Sequence, residues 1–210
     1  MMTPEPLAKQ IPLTEDSHTS ILPEEQYRVG TWNLLATLLR QVPDQDVLNQ
    51  VSAFAELEGA GPELQVALSM LGLAASTSHA NAVDDEFHDL FIGMGRGELL
   101  PYGSWYQTGF LMERPLSLLR DDLAALGYQR EESTREPEDH VAALCEVMAL
   151  LIQDGHSLDT QARFFQQHME GWLEQFFDDL SNAESAVFFR SVGRLGKAFA
   201  AFEKTNLTMQ

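Results

Sequence analysis

Cysteine is almost absent: the 210 residues contain one, Cys145. No disulfide can form within the chain, and the flanking Leu144 and Met148 make that thiol a small hydrophobe for a core rather than a reactive group. Positive charge is also scarce, with 13 lysines and arginines against 32 aspartates and glutamates, a formal charge of -19 at pH 7. The first residues do not explain it, because Glu5, Glu15 and Asp16 against Lys9 leave only -2, so the folded body carries the acidity. Phosphate backbones and anionic headgroups are bound by clustered lysine and arginine, so nucleic acid and membrane surface are not expected partners and a cationic peptide is favoured. A solubilising role for the charge stands beside that reading. No apolar run approaches the roughly 20 residues that span a bilayer, so no membrane insertion is expected. The opening Met1-Met2-Thr3-Pro4-Glu5-Pro6 has neither a basic nor an apolar leader region, and the expected location is the cytoplasm.

Signatures of chemistry are missing as well. His79, His88, His140, His156 and His168 are scattered and no His-Glu-x-x-His occurs, so no metal site is expected. There is no Gly-x-Ser-x-Gly elbow to make a nucleophile of any serine near Asp139-His140. Gly93-Met94-Gly95-Arg96-Gly97 could cradle a phosphate, but a helical pattern precedes it, Glu98-Leu99-Leu100-Pro101 follows it, and no Gly-Lys-Ser/Thr occurs. It reads as a flexible turn that ends a helix. No catalytic residue and no cofactor is expected, and the protein is not an enzyme on this reading; it acts by binding.

Strand-type alternation is lacking too, which leaves an all-α fold class. Residues 1–21 read as a mobile arm rich in Pro, Thr and Ser. From Pro23, with Glu24 and Glu25 in the first turn, Trp32, Leu35, Leu38 and Leu39 form one helical stripe. Asp44 caps a second helix through Val47, Leu48, Val51 and Phe54; Pro62 opens a third through Leu64, Ala67, Leu68 and Leu71. A fourth carries Val83, Phe87, Leu90 and Phe91 to the glycines. The 116–126 segment, with Leu116, Leu119, Leu123 and Leu126, closes on Gly127. Wholly polar residues after Tyr128 mark a hinge at 129–136, dividing an N-terminal helical part (22–128) from a C-terminal one (137–210) within one globular unit. In the second part, Val141 to Ile152 repeats at helical spacing and Ser157 caps a helix running through Phe164, Met169, Trp172 and Phe177. Ser181-Asn182-Ala183-Glu184 has a capping-box pattern ahead of Phe188, Val192, Leu195, Phe199 and Phe202.

Two stretches stand apart from these stripes. Leu90-Phe91-Ile92-Gly93 runs on to Pro101-Tyr102-Gly103-Ser104-Trp105-Tyr106, where Tyr102, Trp105 and Tyr106 offer flat apolar faces with polar tips. Such faces suit either gripping a peptide or packing the loop on the core. Glu136-Pro137-Glu138-Asp139-His140 opens the later apolar helix, with Pro137 suited to its first position and Glu138 and Asp139 to the positive end of its dipole. His140 fits that purely structural reading less well. On Pro101, Ser104 and Tyr106, and on Pro137, Asp139 and His140 with Glu136 held less firmly, the chain from about Pro23 to Phe202 resembles the TorD family of cytoplasmic redox-enzyme maturation chaperones.

That resemblance implies an all-helical bundle whose partner is the twin-arginine signal peptide, or the immature apo-form, of a molybdenum-cofactor enzyme. It implies peptide-binding roles for Tyr102, Ser104, Trp105, Tyr106, Glu136, Pro137, Asp139 and His140, with Asp139 facing a leader arginine. Tyr106 to Leu111 and Arg120-Asp121-Asp122 are similar to members associated with formate dehydrogenase, which makes that enzyme or a related reductase the expected client. The alternative is a helical assembly scaffold for a leaderless oxidoreductase subunit. A homodimer is compatible with either, since a polar hinge permits domain swapping. Finally, Glu170, Glu174 and Asp178 recur every four residues without an intervening cation, a ridge that either faces solvent or meets a cationic partner.

Overall fold

A computed structural model of the chain describes residues 22–57, 61–93, 95–130 and 136–208. The expected arm at 1–21 and most of the expected hinge, 131–135, lie outside the described residues. Helix α1 spans Pro23–Arg40, α2 Gln45–Ser52, α3 Pro62–Thr77, α4 Ala80–Phe87, α5 Gly103–Thr108 and α6 Arg114–Leu126; α7 spans Val141–Gln153, α8 Leu158–His168, α9 Leu173–Asn182 and α10 Phe189–Thr208. A 3-10 turn at Ala53–Glu56 prolongs α2 and a π turn at His88–Ile92 prolongs α4. Among the described residues there is no strand, only an isolated antiparallel bridge between Tyr102 and His140. The class is therefore all-α. Among the same residues no helix is long and apolar enough to cross a membrane.

The stripes pack as their spacing dictates. Trp32, Leu35, Leu38 and Leu39 of α1 are buried, and α1 lies along α7, which contributes Val141, Leu144, Cys145, Met148, Leu151 and Ile152. Burial raises the Cys145 thiol far above its ordinary pKa, as an inert core thiol should be. Helix α10 lies between α9 and α3 and also touches α1 and α8, so one continuous apolar core runs from Val29 to Leu207. Trp32 sits at its centre, edge-on to Phe199 with centroids 4.8 Å apart and 6.4 Å from Phe165. The α9–α10 crossing depends on Gly196, where a methyl group would stand 2.2 Å from a Phe177 ring carbon. A side chain there would have to displace the buried Phe177 ring.

Helix ends follow local chemistry where the sequence announced it. Asp44 caps α2 by accepting the Val47 N–H at 2.9 Å, Ser157 caps α8, and Gly127 ends α6 at φ 84°. Two expectations are corrected. The helix expected from Ser157 through Phe177 breaks at 169–172, where the Trp172 indole donates to the His168 carbonyl at 2.7 Å and so satisfies the end of α8. The break turns Trp172 inward.

Ser181 does not cap a new helix either: it stays within α9, and its hydroxyl donates to the Phe177 carbonyl. Helix α10 begins later and takes its cap from far away, as the N–H groups of Val187, Phe188 and Phe189 all donate to the Glu86 carboxylate at 2.7–3.0 Å. Glu98 holds the preceding turn in the same way, accepting from Glu184 and Ser185. Burial raises the Glu98 carboxyl, and those two N–H groups more than offset it, holding it below the usual range. Glu86 meets the bare amides at the start of α10 and Glu98 those of the turn before it, each from a distant part of the chain, which is why neither is legible from its own neighbours.

Candidate functional site

The two singled-out stretches meet. Pro101 and Tyr102 run antiparallel to Asp139 and His140: the Gly103 N–H donates to the Asp139 carbonyl at 2.9 Å and the Val141 N–H to the Pro101 carbonyl at 2.8 Å. Across this bridge the Tyr102 and His140 rings lie edge to face, 5.2 Å apart, and the Tyr102 hydroxyl donates to the Glu136 carboxylate. Burial, then Glu136, raise the Tyr102 pKa, so the phenol stays a donor.

Pro137 does not open the helix, contrary to expectation. Residues 137–140 form a turn in which the His140 N–H donates to the Pro137 carbonyl, and α7 starts at Val141 with His140 as its N-cap. The imidazole Nδ1 accepts from the Ala142 N–H at 3.1 Å, the service usually rendered by Ser, Thr, Asp or Asn. That bond requires a neutral ring. Burial supplies one, pushing His140 down to about 4 against the opposing charges of Glu136 and Asp139.

Asp139 faces inward, 3% exposed. Its Oδ2 accepts from the Ser104 N–H at 2.8 Å, capping α5 from 35 positions away, while Oδ1 is buried with no hydrogen-bond partner among the described residues. The carboxylate thus complements a helix dipole as its composition suggested, but the helix is α5 and not its own. Ser104 is fully buried; its hydroxyl accepts from Met112 N–H. Gly103 admits the Trp172 ring, which would stand 3.3 Å from a methyl there. Tyr106 stacks on Trp172 at 5.5 Å and donates its hydroxyl to Asp179 at 3.0 Å, and Trp105, partly exposed, carries the Arg96 guanidinium over its ring at 4.6 Å. Tyr106 and Trp105 are thus engaged by α9 and by the glycine turn. In that turn Gly93 adopts φ 59° and its N–H closes the π turn on the His88 carbonyl at 2.7 Å, a helix stop as expected.

Beside the junction opens a cleft of about 450 Å³. Leu123, Ala143, Val147 and Leu150 give it an apolar floor; Arg40, Arg130, Glu136, Glu138 and Glu146 stand around it with Tyr128 and His140. Of the eight expected peptide-binding residues, Glu136 and His140 line this cleft, Tyr102 is tied to Glu136 at its edge, and Ser104 and Asp139 lie behind it. Its charges are already partnered. Arg40 pairs with Glu146, Arg120 holds Glu138 at 2.8 Å, and Arg130 lies 3.8 Å from the same carboxylate. Two arginines against three glutamates leave the lining one negative charge in excess, far less than the whole-chain charge would suggest.

The expected ridge is interrupted, since the break at 169–172 leaves Glu170 ahead of α9 and only Glu174 and Asp178 on it, and its ends are partnered within the chain: Lys204 reaches Glu170 at 3.1 Å and Lys197 pairs with Asp178, both from α10. No cationic partner is required to explain it. The arginines of the cleft, and Tyr128 with them, were not singled out from sequence. Arg40 and Glu146 belong to different helices, and only the α1–α7 packing pairs them.

Comparison with known proteins agrees with the bundle. The family model described as nitrate reductase delta subunit matches residues 55–178. Among curated proteins, the chaperone protein TorD of Vibrio cholerae serotype O1 is 28% identical over 204 residues, covering 88% of this chain and 92% of its own. TorD of Shewanella loihica is 26% identical over 206 residues, covering 86% and 93%. A solved structure from Archaeoglobus fulgidus, described as that of a redox enzyme maturation protein, superposes with a TM-score of 0.55 over 90% of this chain and 98% of that one. At 17% identity that likeness is one of fold.

Proposed function

The chain belongs to the nitrate reductase delta subunit family, with TorD chaperones among its relatives, and from that premise we propose that it is a maturation chaperone for a molybdenum-cofactor oxidoreductase. It binds the client's twin-arginine leader, or its immature form, and holds it until the cofactor is inserted; formate dehydrogenase is the client we favour. The observation that carries this reading is the cleft itself. An apolar floor of Leu123, Ala143, Val147 and Leu150 suits the hydrophobic stretch of a leader, and the flanking Glu136, Glu138 and Glu146 suit its basic end. Tyr102 and His140 shape the entrance, while Asp139 and Ser104 act from behind by fixing α5 against the 136–140 turn. Because Asp139 is buried, we assign it positioning and give the leader arginine to the glutamates.

The test is calorimetric titration of the full chain with a synthetic formate dehydrogenase leader, at low and moderate salt, beside the same peptide with both arginines changed to alanine. Binding that weakens with salt and with arginine loss is the expected result. A second reading, an assembly scaffold for a leaderless oxidoreductase subunit, draws on the exposed Phe110, Leu111 and Met112 between α5 and α6, a surface that a folded subunit could cover. Failure to bind either peptide, with capture of the purified folded subunit, would transfer support to it.

A further inference from the structure

We propose that Glu138 is a guanidinium seat that the protein keeps filled with its own Arg130 until an arginine of a bound peptide takes its place; this rests on the leader-binding reading above.

The two oxygens of Glu138 are held unequally. Arg120, on α6, brings both Nε and an Nη to the same oxygen, Oε2, at 2.9 and 2.8 Å. Oε1 instead faces Arg130, whose Nε stands 3.8 Å away, within Coulombic attraction and beyond a hydrogen bond. Among the described residues one bond holds Arg130 on its other side, Nη1 donating to the Glu136 carbonyl at 3.1 Å. Arg120, although 52% exposed, is the better held of the two through its paired bonds to the carboxylate, and Arg130, with none to it, is the replaceable one. The carboxylate it serves is only 15% exposed, so water screens the seat poorly, while Arg130 itself remains 38% exposed and free to swing out.

The shape of the seat selects the occupant. One cation must face a carboxylate oxygen and a backbone carbonyl two residues apart in the turn, which the planar fork of a guanidinium does with separate N–H groups. A lysine ammonium offers a point charge and meets the two acceptors less well. Arg130, Glu136 and Glu138 all line the cleft whose apolar floor would take the adjoining hydrophobic stretch. Exchange of one arginine for another leaves the charge of the lining unaltered, so in the wild type the seat adds less affinity than an empty carboxylate would. It sets the register of the peptide and discriminates arginine from lysine, while the floor and the other glutamates supply the rest of the affinity.

Arg130→Gln tests this. The full-length protein and the variant are titrated with the formate dehydrogenase leader, and with versions carrying two lysines or two alanines in place of the arginines. With the internal competitor removed, the variant should bind the arginine peptide about two- to fivefold more tightly, the range open to a partly exposed ion pair. The alanine peptide should bind both proteins equally, and the lysine peptide should gain less than the arginine one. Arg130→Lys, which keeps the charge and loses the fork, should fall between wild type and Arg130→Gln. Arginine-dependent binding that Arg130→Gln leaves unchanged or weakens overturns the seat and spares the leader-binding reading. A gain of equal size for the alanine peptide also overturns the seat. Absence of binding by both proteins to every peptide overturns both.

Discussion

Two arginine–glutamate pairs in this molecule differ in everything but chemistry. In the core, Arg28 of α1 grips Glu203 of α10 through two parallel bonds of 2.6 and 2.8 Å, donates also to Gln161 of α8 at 2.9 Å, and Glu203 accepts from the Trp32 indole. Both side chains are nearly or wholly inaccessible, at 5% and 0%. At the cleft, Arg130 meets Glu138 at 3.8 Å with 38% and 15% exposed. The first pair cannot part without exposing a bare charge to the core, so it locks three helices together; the second can part at small cost, so it is available for exchange. The same two side chains thus make a rivet or a removable occupant according to how much water reaches them.

The sharpest way to break this contrast is at the rivet. Glu203→Ala strands the Arg28 guanidinium and should cost about 3–5 kcal/mol of unfolding free energy, read from urea denaturation. A double replacement, Arg28→Met with Glu203→Leu, removes both charges and should recover most of that loss. If the double variant were as unstable as the single one, the penalty would come from lost packing and not from the unpaired charge.

The next effect in size concerns His140. Its ring is neutral in the fold, held at about 4 by burial, and titrates near 6.5 when the chain unfolds. Between those values the unfolded chain binds the extra proton, so stability falls as pH is lowered from about 6.5 to about 4 and this contribution levels off below. The full difference amounts to about 3 kcal/mol. His168 acts in the same direction, since burial lowers it too, although its bond to Asp122 opposes the shift. His140→Asn keeps an acceptor for the Ala142 N–H and should flatten the acid limb of a stability–pH curve relative to wild type; superimposable curves would remove His140 from the account.

The two pairs also show how much was legible beforehand. Helix stripes were, because a 3.6-residue period depends only on neighbours: Pro23, Asp44, Pro62 and Gly127 stand at the boundaries their chemistry announces. Both motifs were visible as strings, and the burial of Cys145 followed from its company. Their junction was not legible, since Ser104 and Asp139 are separated by 35 positions and no local rule pairs them. Arg28 and Glu203 are 175 apart, and Glu203 reads on its own as a surface residue. Pro137 misled because proline at a helix start is common, whereas here a turn intervenes and the unusual N-cap is the histidine after it. The lysine partners of Glu170 and Asp178 were not legible for a related reason: they lie on the next helix, beyond the reach of a periodicity count.

That ridge gives the smallest expected effect and completes the series from buried to exposed. Lys197 and Lys204 are each about half exposed, and so in part are Asp178 and Glu170. Each pair should therefore contribute little, and less at high salt. Lys197→Ala and Lys204→Ala together leave Glu174 and Asp178 stacked on α9, with Glu170 just ahead of it, and no cation from α10, so their loss should exceed that of two isolated surface pairs and shrink as salt rises. Denaturation midpoints at low and high ionic strength measure this directly. A loss that salt does not reduce would assign the two lysines a packing role along α9, through their methylene stems, in place of an electrostatic one.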